Sequence, residues 1–172
     1  MKKIMLIDDE KPVLNALQRF LTRAGWQVTA FSNPESALDY ARSANFPLVI
    51  SDYRMPAMDG VEFLYKLNQI QPNIYKIMLS GQADQEGVIN AINQAGIHHF
   101  LNKPWNNEQL LSQLEKGIEQ YKKRRSELFK LNKKTLSKQE YNARYEAMLE
   151  KSSPGITKVR RNAMGWIEVG DD

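Results

Sequence analysis

Three aspartates, a serine and a lysine stand where short apolar runs of this 172-residue chain give out. Lys3–Asp8 is apolar and ends in acid, with Asp9 directly behind it. The run Pro47–Ser51 leads into Asp52, Ile74–Leu79 into Ser80, and His98–Leu101 towards Lys103. Gathered in one place, three carboxylates repel one another and resist ionising unless a cation sits among them. Hard oxygen ligands of this kind suit magnesium, which keeps several waters and takes one or two carboxylates plus a phosphate. One of the carboxylates could then attack a phosphoryl donor and become an aspartyl-phosphate. An ammonium and a hydroxyl nearby would neutralise and hydrogen-bond the phosphoryl oxygens.

The elements that must bring these groups together alternate along the first hundred residues. Each apolar run is short and lacks polar alternation, which suggests strands of a sheet buried on both faces. Between them lie helical patterns: Val13, Leu14, Leu17, Phe20 and Leu21, with Gly25 as a stop, and then Ala37, Leu38 and Ala41 behind Asn33-Pro34. Gln27–Phe31 separates these two as a second strand. A third helix carries Val61, Leu64, Leu67 and Ile70, and a weaker fourth is expected over Asp84–Gln94. Strictly alternating strands and helices predict an α/β fold with a doubly wound five-stranded parallel sheet and right-handed crossovers. In such sheets ligands bind beyond the carboxyl ends of the strands, where the acids fall.

Composition removes several other chemistries. Hydrophobic residues are 42% and charged residues 26%, which is globular rather than disordered. The chain has no cysteine and only two histidines, so disulfides, thiolate catalysis and Cys- or His-rich metal sites are excluded. No apolar run approaches the roughly 20 residues of a membrane span, and Asp8-Asp9 interrupts the N-terminal one too early for a signal peptide. The expected location is the cytoplasm, with no membrane partner. The formal charge of +4 is uneven: residues 1–104 carry ten basic and ten acidic residues, and residues 105–172 carry 14 and 10. Eight basic residues and two acidic ones fall within 116–134, including Lys122-Lys123-Arg124-Arg125. Such a stretch reads first as a solvated helix face, and second as a contact for nucleic acid or an acidic partner.

Taken in order, Ile7-Asp8-Asp9-Glu10, Ser51-Asp52-Tyr53-Arg54-Met55-Pro56 with Asp59-Gly60, Leu79-Ser80-Gly81 and Phe100-Leu101-Asn102-Lys103-Pro104 resemble the receiver domain of two-component response regulators. The resemblance covers about residues 1–120 and implies a flavodoxin-like strand order 2-1-3-4-5. It makes Asp52 the phosphoacceptor. Asp9 and Asp52 become magnesium ligands together with the Arg54 backbone carbonyl, and Asp8 acts through a bound water. Ser80 takes the hydroxyl position, Lys103 that of the phosphate-pairing lysine ahead of a cis proline, and Phe100 the aromatic switch. Arg54 and Gln82, each two residues beyond a site residue, are expected to tune hydrolysis of the phosphoryl group. The implied donor is a histidine kinase or phosphotransfer protein. The domain is not an enzyme beyond its own phosphorylation and dephosphorylation, and the face of helix four, strand five and helix five is what switches.

Trp105 after Lys103-Pro104 further resembles receivers that precede cyclic-di-nucleotide signalling modules. No histidine follows His99 and no Gly-Gly-Asp-Glu-Phe cyclase signature occurs, so a non-catalytic output is expected. The fifth helix starts near Asn106 with Leu110, Leu111, Leu114, Ile118 and Tyr121, and its pattern outruns what one sheet can cover. Leu111, Leu114, Ile118, Tyr121, Arg125 and Leu128 fit a heptad seam broken at Arg125. Around 133–136 the stripe lapses, and Ser137 with Glu140 matches a capping box, which predicts a separate helix over 138–150. The runs Ile156–Val159 and Trp166–Val169 suggest a hairpin. Residues 121–172 are therefore expected to form a basic helical extension. Its leading role is association, as a homodimer or with an acidic protein; nucleic-acid binding and folding back on the receiver are the alternatives.

Overall fold

The computed structural model describes residues 2–81 and 95–152 of the chain. The helix expected over Asp84–Gln94, Gln82 and the hairpin expected over 156–169 lie outside the described residues. Five strands, β1 (Lys3–Ile7), β2 (Gln27–Phe31), β3 (Leu48–Asp52), β4 (Tyr75–Ser80) and β5 (His99–Asn102), form one parallel sheet in the order 2-1-3-4-5. Helices α1 (Lys11–Arg23), α2 (Pro34–Ala41), α3 (Gly60–Ile70) and α4 (Asn107–Ser152) follow β1, β2, β3 and β5. The fold is thus the flavodoxin-like one expected.

Alternation along the strands sorts the core onto the two faces of the sheet. Met5, Ile7, Val49 and Met78 join Ala37, Leu38, Phe63, Leu64 and Leu67 of α2 and α3. Ile4, Leu6, Leu48, Ile50, Ile77 and Leu79 join Leu14, Leu17 and Leu21 of α1 and Leu110, Leu114 and Ile118 of α4. Each of these side chains except Ala37 contributes about 1.5–3 kcal/mol relative to exposure. Helix starts are set by side-chain oxygens that accept otherwise orphaned N–H groups. Asn33 Oδ1 accepts from Ser36 N at 3.0 Å, Asp59 Oδ1 from Glu62 N at 2.8 Å, and Asn106 Oδ1 from Gln109 N at 2.9 Å. Gly117 admits α4 to the sheet, because a Cβ there would stand 2.5 Å from both Leu48 Cδ2 and Tyr75 Cδ1.

One amide staples the turn between α2 and β3. Gln71, buried at the end of α3, donates to the carbonyls of Ala41 (2.8 Å) and Ala44 (2.7 Å) and accepts from Phe46 N (2.9 Å).

Several expected boundaries move. Asp52 and Ser80 are the last residues of β3 and β4 rather than the first residues after them, and β5 starts at His99, not His98. The helix break around 133–136 does not occur: α4 is continuous from Asn107 to Ser152. No proline interrupts that stretch and its only glycine is Gly117, so the backbone ladder continues through a Ser-x-x-Glu pattern that elsewhere would start a helix. The chain divides into two units, Met1–Arg125 and Ser126–Asp172. In the second, Leu128, Phe129 and Leu131 are exposed, Phe129 by 71%.

Candidate functional site

Three strand ends and one loop meet at the carboxyl edge of the sheet. Asp8 follows β1 directly, and its N–H reaches Phe31 O at 3.3 Å. Asp52 ends β3 and Ser80 ends β4; Asp8, Asp52 and Ser80 are 1%, 5% and 2% exposed. Lys103 follows β5, which is paired to β4 with Ser80 opposite Asn102. Its N–H donates to Ser80 O at 2.8 Å, and its peptide bond to Pro104 is cis.

The Lys103 ammonium stands between the acids. Its Nζ lies 2.7 Å from Asp52 Oδ1, 3.0 Å from Asp8 Oδ2 and 3.6 Å from Glu10 Oε1. Burial pushes the Asp8 carboxyl above its usual range, against the opposing pull of Lys103 and of the Glu10 N–H, which donates to Asp8 Oδ1 at 2.8 Å. Burial raises Asp52 as well, with Lys103 and the Tyr53 N–H opposing and the Asp9 charge adding to the rise. For Lys103 burial acts downward, but hydrogen bonds and charge from Asp52 and Asp8 outweigh it and hold the ammonium above its ordinary value. One ammonium shared by two buried carboxylates accounts for the asymmetry: it is fully paired, and they are not.

A further cation would complete the balance. Ligand oxygens of Asp8, Asp9 and Asp52 all lie within 4.8 Å of one another. Asp9 Oδ1 is buried with no hydrogen-bond partner among the described residues, an arrangement a bare carboxylate oxygen does not favour. Hard oxygen donors at this spacing, one of them orphaned, fit a small divalent ion such as magnesium.

The loop behind Asp52 is held tightly. Met58 N donates to Pro56 O at 2.8 Å across Ala57, whose φ of 66° makes this a γ-turn of the strained kind. Gly60 then brings the start of α3 against β3: its N–H donates to Tyr53 O at 2.8 Å, and a Cβ there would stand 2.1 Å from Asp52 O.

The structure therefore brings together Asp8, Asp9, Asp52, Ser80 and Lys103. Phe100 lies on β5 opposite Met78, half-buried against the core rather than in the acidic cluster. Arg54 is exposed two residues beyond Asp52. In sequence Glu10 is only one member of a motif; its reach to Lys103 depends on the turn after β1, which no hydropathy pattern reports. Gly60 was likewise only part of a motif, although a glycine at a helix start behind an aspartate is a signal of close backbone approach.

Comparison with known proteins agrees with this geometry. The sequence pattern of the response regulator receiver domain matches residues 4–115. The hydrogenase transcriptional regulatory protein HoxA of Cupriavidus necator is 31% identical over 116 residues, which are 67% of this chain and 24% of that protein. The chain thus spans about a quarter of the length of that curated relative. Among solved structures, an uncharacterised protein from Neptuniibacter caesariensis is 39% identical with a TM-score of 0.69, covering 72% of this chain and 92% of that one. The signal receiver domain of an HD domain-containing protein from Pseudomonas fluorescens Pf-5 is 30% identical with a TM-score of 0.69, covering 73% and 92%. A sheet ordered 2-1-3-4-5 with aspartates at the ends of its first and third strands and a lysine after its fifth thus comes with a matching sequence pattern, and the chain belongs to the response regulator receiver domain family.

Proposed function

We propose that this chain is a phosphorylation-controlled switch in which Asp52 accepts a phosphoryl group from a histidine kinase or phosphotransfer protein. The observation that carries the reading is the cluster of buried Asp8 and Asp52 with half-buried Asp9, and Lys103 bonded to Asp52. An Asp52 oxygen attacks the phosphorus of the donor's phosphohistidine; the O–P bond forms as the P–N bond breaks, and the imidazole leaves. Magnesium, held by Asp9, Asp52 and the Arg54 carbonyl with Asp8 acting through water, would neutralise phosphoryl charge. Lys103 and the Ser80 hydroxyl move onto the new oxygens, which carry about −1.5 to −2 charge. Phe100, on the neighbouring strand two residues before Ser80's partner Asn102, follows that movement. Arg54 and Gln82 set how readily water reaches the phosphoryl group. No helix among the described residues is long and apolar enough to cross a membrane, and we place the protein in the cytoplasm.

The receiver occupies residues 1–120, and 121–172 form the extension through which the switched state controls association with a protein partner or a second copy. The exposed Leu128 and Phe129 favour association over nucleic-acid binding, because a helix held by phosphates needs no exposed apolar side chains. The test is labelling with acetyl phosphate and magnesium, followed by light scattering of the beryllofluoride-loaded chain. Wild type is expected to label and Asp52→Asn is not. Labelling that survives Asp52→Asn overturns the assignment, and a mass unchanged by beryllofluoride with and without candidate partner overturns control of association.

A further inference from the structure

At the amino end of the sheet, away from the acids, a second polar cluster has no part in the chemistry above. Lys76 lies in β4, only 3% exposed, and its Nζ donates to Asn68 Oδ1 at 2.6 Å and to Ala95 O at 2.7 Å. Its backbone is tied to His98: Lys76 N donates to His98 Nδ1 at 3.1 Å, and His98 N donates to Lys76 O at 2.9 Å. The Tyr75 ring stacks on the imidazole, with centroids 4.5 Å apart, and fixes its orientation.

The other ring nitrogen, Nε2, faces Arg124 Nη1 of α4 at 3.1 Å. Burial, with Arg124 and Lys76 adding, pushes His98 down to about 4, so the ring is neutral at ordinary pH. A neutral imidazole has one donor and one acceptor nitrogen. Nδ1 already accepts from Lys76, so the proton sits on Nε2, and a guanidinium has no lone pair to offer it. The opposite tautomer would satisfy Arg124 but strand the buried Lys76 N–H. That is the costlier group to leave unmatched, since Arg124 is exposed to water. Two donors therefore converge with no acceptor between them. Among the described residues no carboxylate is within ion-pair reach of Arg124.

We propose that His98 Nε2–H and the Arg124 guanidinium form an oxyanion docking point on the β5 and α4 side of the receiver, and that its occupant is an Asp or Glu side chain of a partner protein. Two donors 3.1 Å apart suit one carboxylate that accepts from both. The sign is repeated nearby: the Lys76 charge acts on the ring as Arg124 does, and along α4 the exposed Lys122, Lys123 and Arg125 outnumber the exposed Glu127. The point is open on its Arg124 side, so it lacks the enclosing cradle that would hold a free anion; a tethered acid gains its remaining contacts from the chain that carries it. This deepens the association reading by naming the chemistry of the partner, and it needs no modification of Asp52.

The experiment uses the full chain labelled with ¹⁵N, observed through the imidazole nitrogens and without any phosphoryl donor. Nε2 is expected to carry the His98 proton. Titration with a hexaglutamate peptide at constant ionic strength is expected to give a saturable shift of that Nε2–H. Binding should weaken by about tenfold or more in Arg124→Gln and, where that variant folds poorly, in His98→Asn followed through the α4 amides. In Lys122→Gln it should change by less than about threefold. A proton found on Nδ1, a shift that does not saturate, or equal losses in Lys122→Gln and Arg124→Gln overturns the proposal. Inorganic phosphate saturating the site below the peptide concentration overturns the partner assignment in favour of a free-anion site. Since labelling of Asp52 enters none of these readouts, failure here is distinguishable from failure of the phosphorylation reading.

Discussion

Replacing Gly60 by alanine tests how the acidic site is held in place. The added Cβ would lie 2.1 Å from the Asp52 carbonyl oxygen, 3.0 Å from its carbonyl carbon and 3.1 Å from Tyr53 Cα. Non-bonded heavy atoms rest at roughly 3.5 Å, so the start of α3 and the end of β3 must part by about 1 Å or more. All three obstructing atoms are backbone, which leaves no flexible side chain to swing aside. The Gly60 N–H bond to Tyr53 O and the Asp59 cap on Glu62 oppose the separation. Overpacking of this kind costs about 1–3 kcal/mol. The displaced residue is Asp52 itself, and a misplacement of about 1 Å at a reacting group can cost about 100-fold in rate. Urea denaturation of Gly60→Ala should therefore show a loss of about 1–3 kcal/mol. At a temperature where both proteins are folded, acetyl-phosphate labelling of Asp52 should slow by roughly 10- to 100-fold. A variant with an unchanged midpoint refutes the packing argument. One that loses stability but labels within about twofold of wild type refutes the claim that α3 positions the carboxylate.

Other perturbations give opposite signs at different places. Gly117→Ala should destabilise by about 1–2 kcal/mol in urea, although helix propensity alone would add up to about 1 kcal/mol, because its Cβ meets Leu48 and Tyr75. Asp52→Asn should melt higher than wild type at pH 7 in chelator. A carboxyl raised in the folded state binds protons there that the unfolded chain has released, so wild-type stability falls as pH rises from 3.8 through the folded value, and the amide removes that slope. His98 acts the other way. Its folded value of about 4 lies below the ordinary 6.5, so stability is lost as pH falls from 6.5 towards 4, and His98→Asn should flatten that limb of a stability–pH curve.

The acids were legible because they terminate apolar runs: a charged residue directly after Ile-Met-Leu-Ile or Leu-Val-Ile-Ser has few places to go but the end of a buried strand. The sheet order came through resemblance, and strand ends shifted by a residue because alternation cannot tell whether Asp52 still pairs; its partner is Leu79, and only tertiary register shows it. Lys76 was invisible for a different reason. A lysine within an apolar run reads as a solvated edge, and its burial is compensated by Asn68 and the Ala95 carbonyl, groups eight and 19 residues away. The continuity of α4 is hidden in the sequence because Ser137 and Glu140 imitate a helix start, while nothing around them stops the preceding helix.

Gln71 carries an evolutionary consequence. All three of its partners are main-chain atoms, so substitutions at positions 41 and 44, and any but proline at 46, leave those bonding groups in place. The dependence therefore leaves no covarying partner behind: position 71 would stay amide while its neighbours drift. Deamidation to glutamate would do what none of those drifting changes can, setting a negative charge against two oxygens that were being given protons.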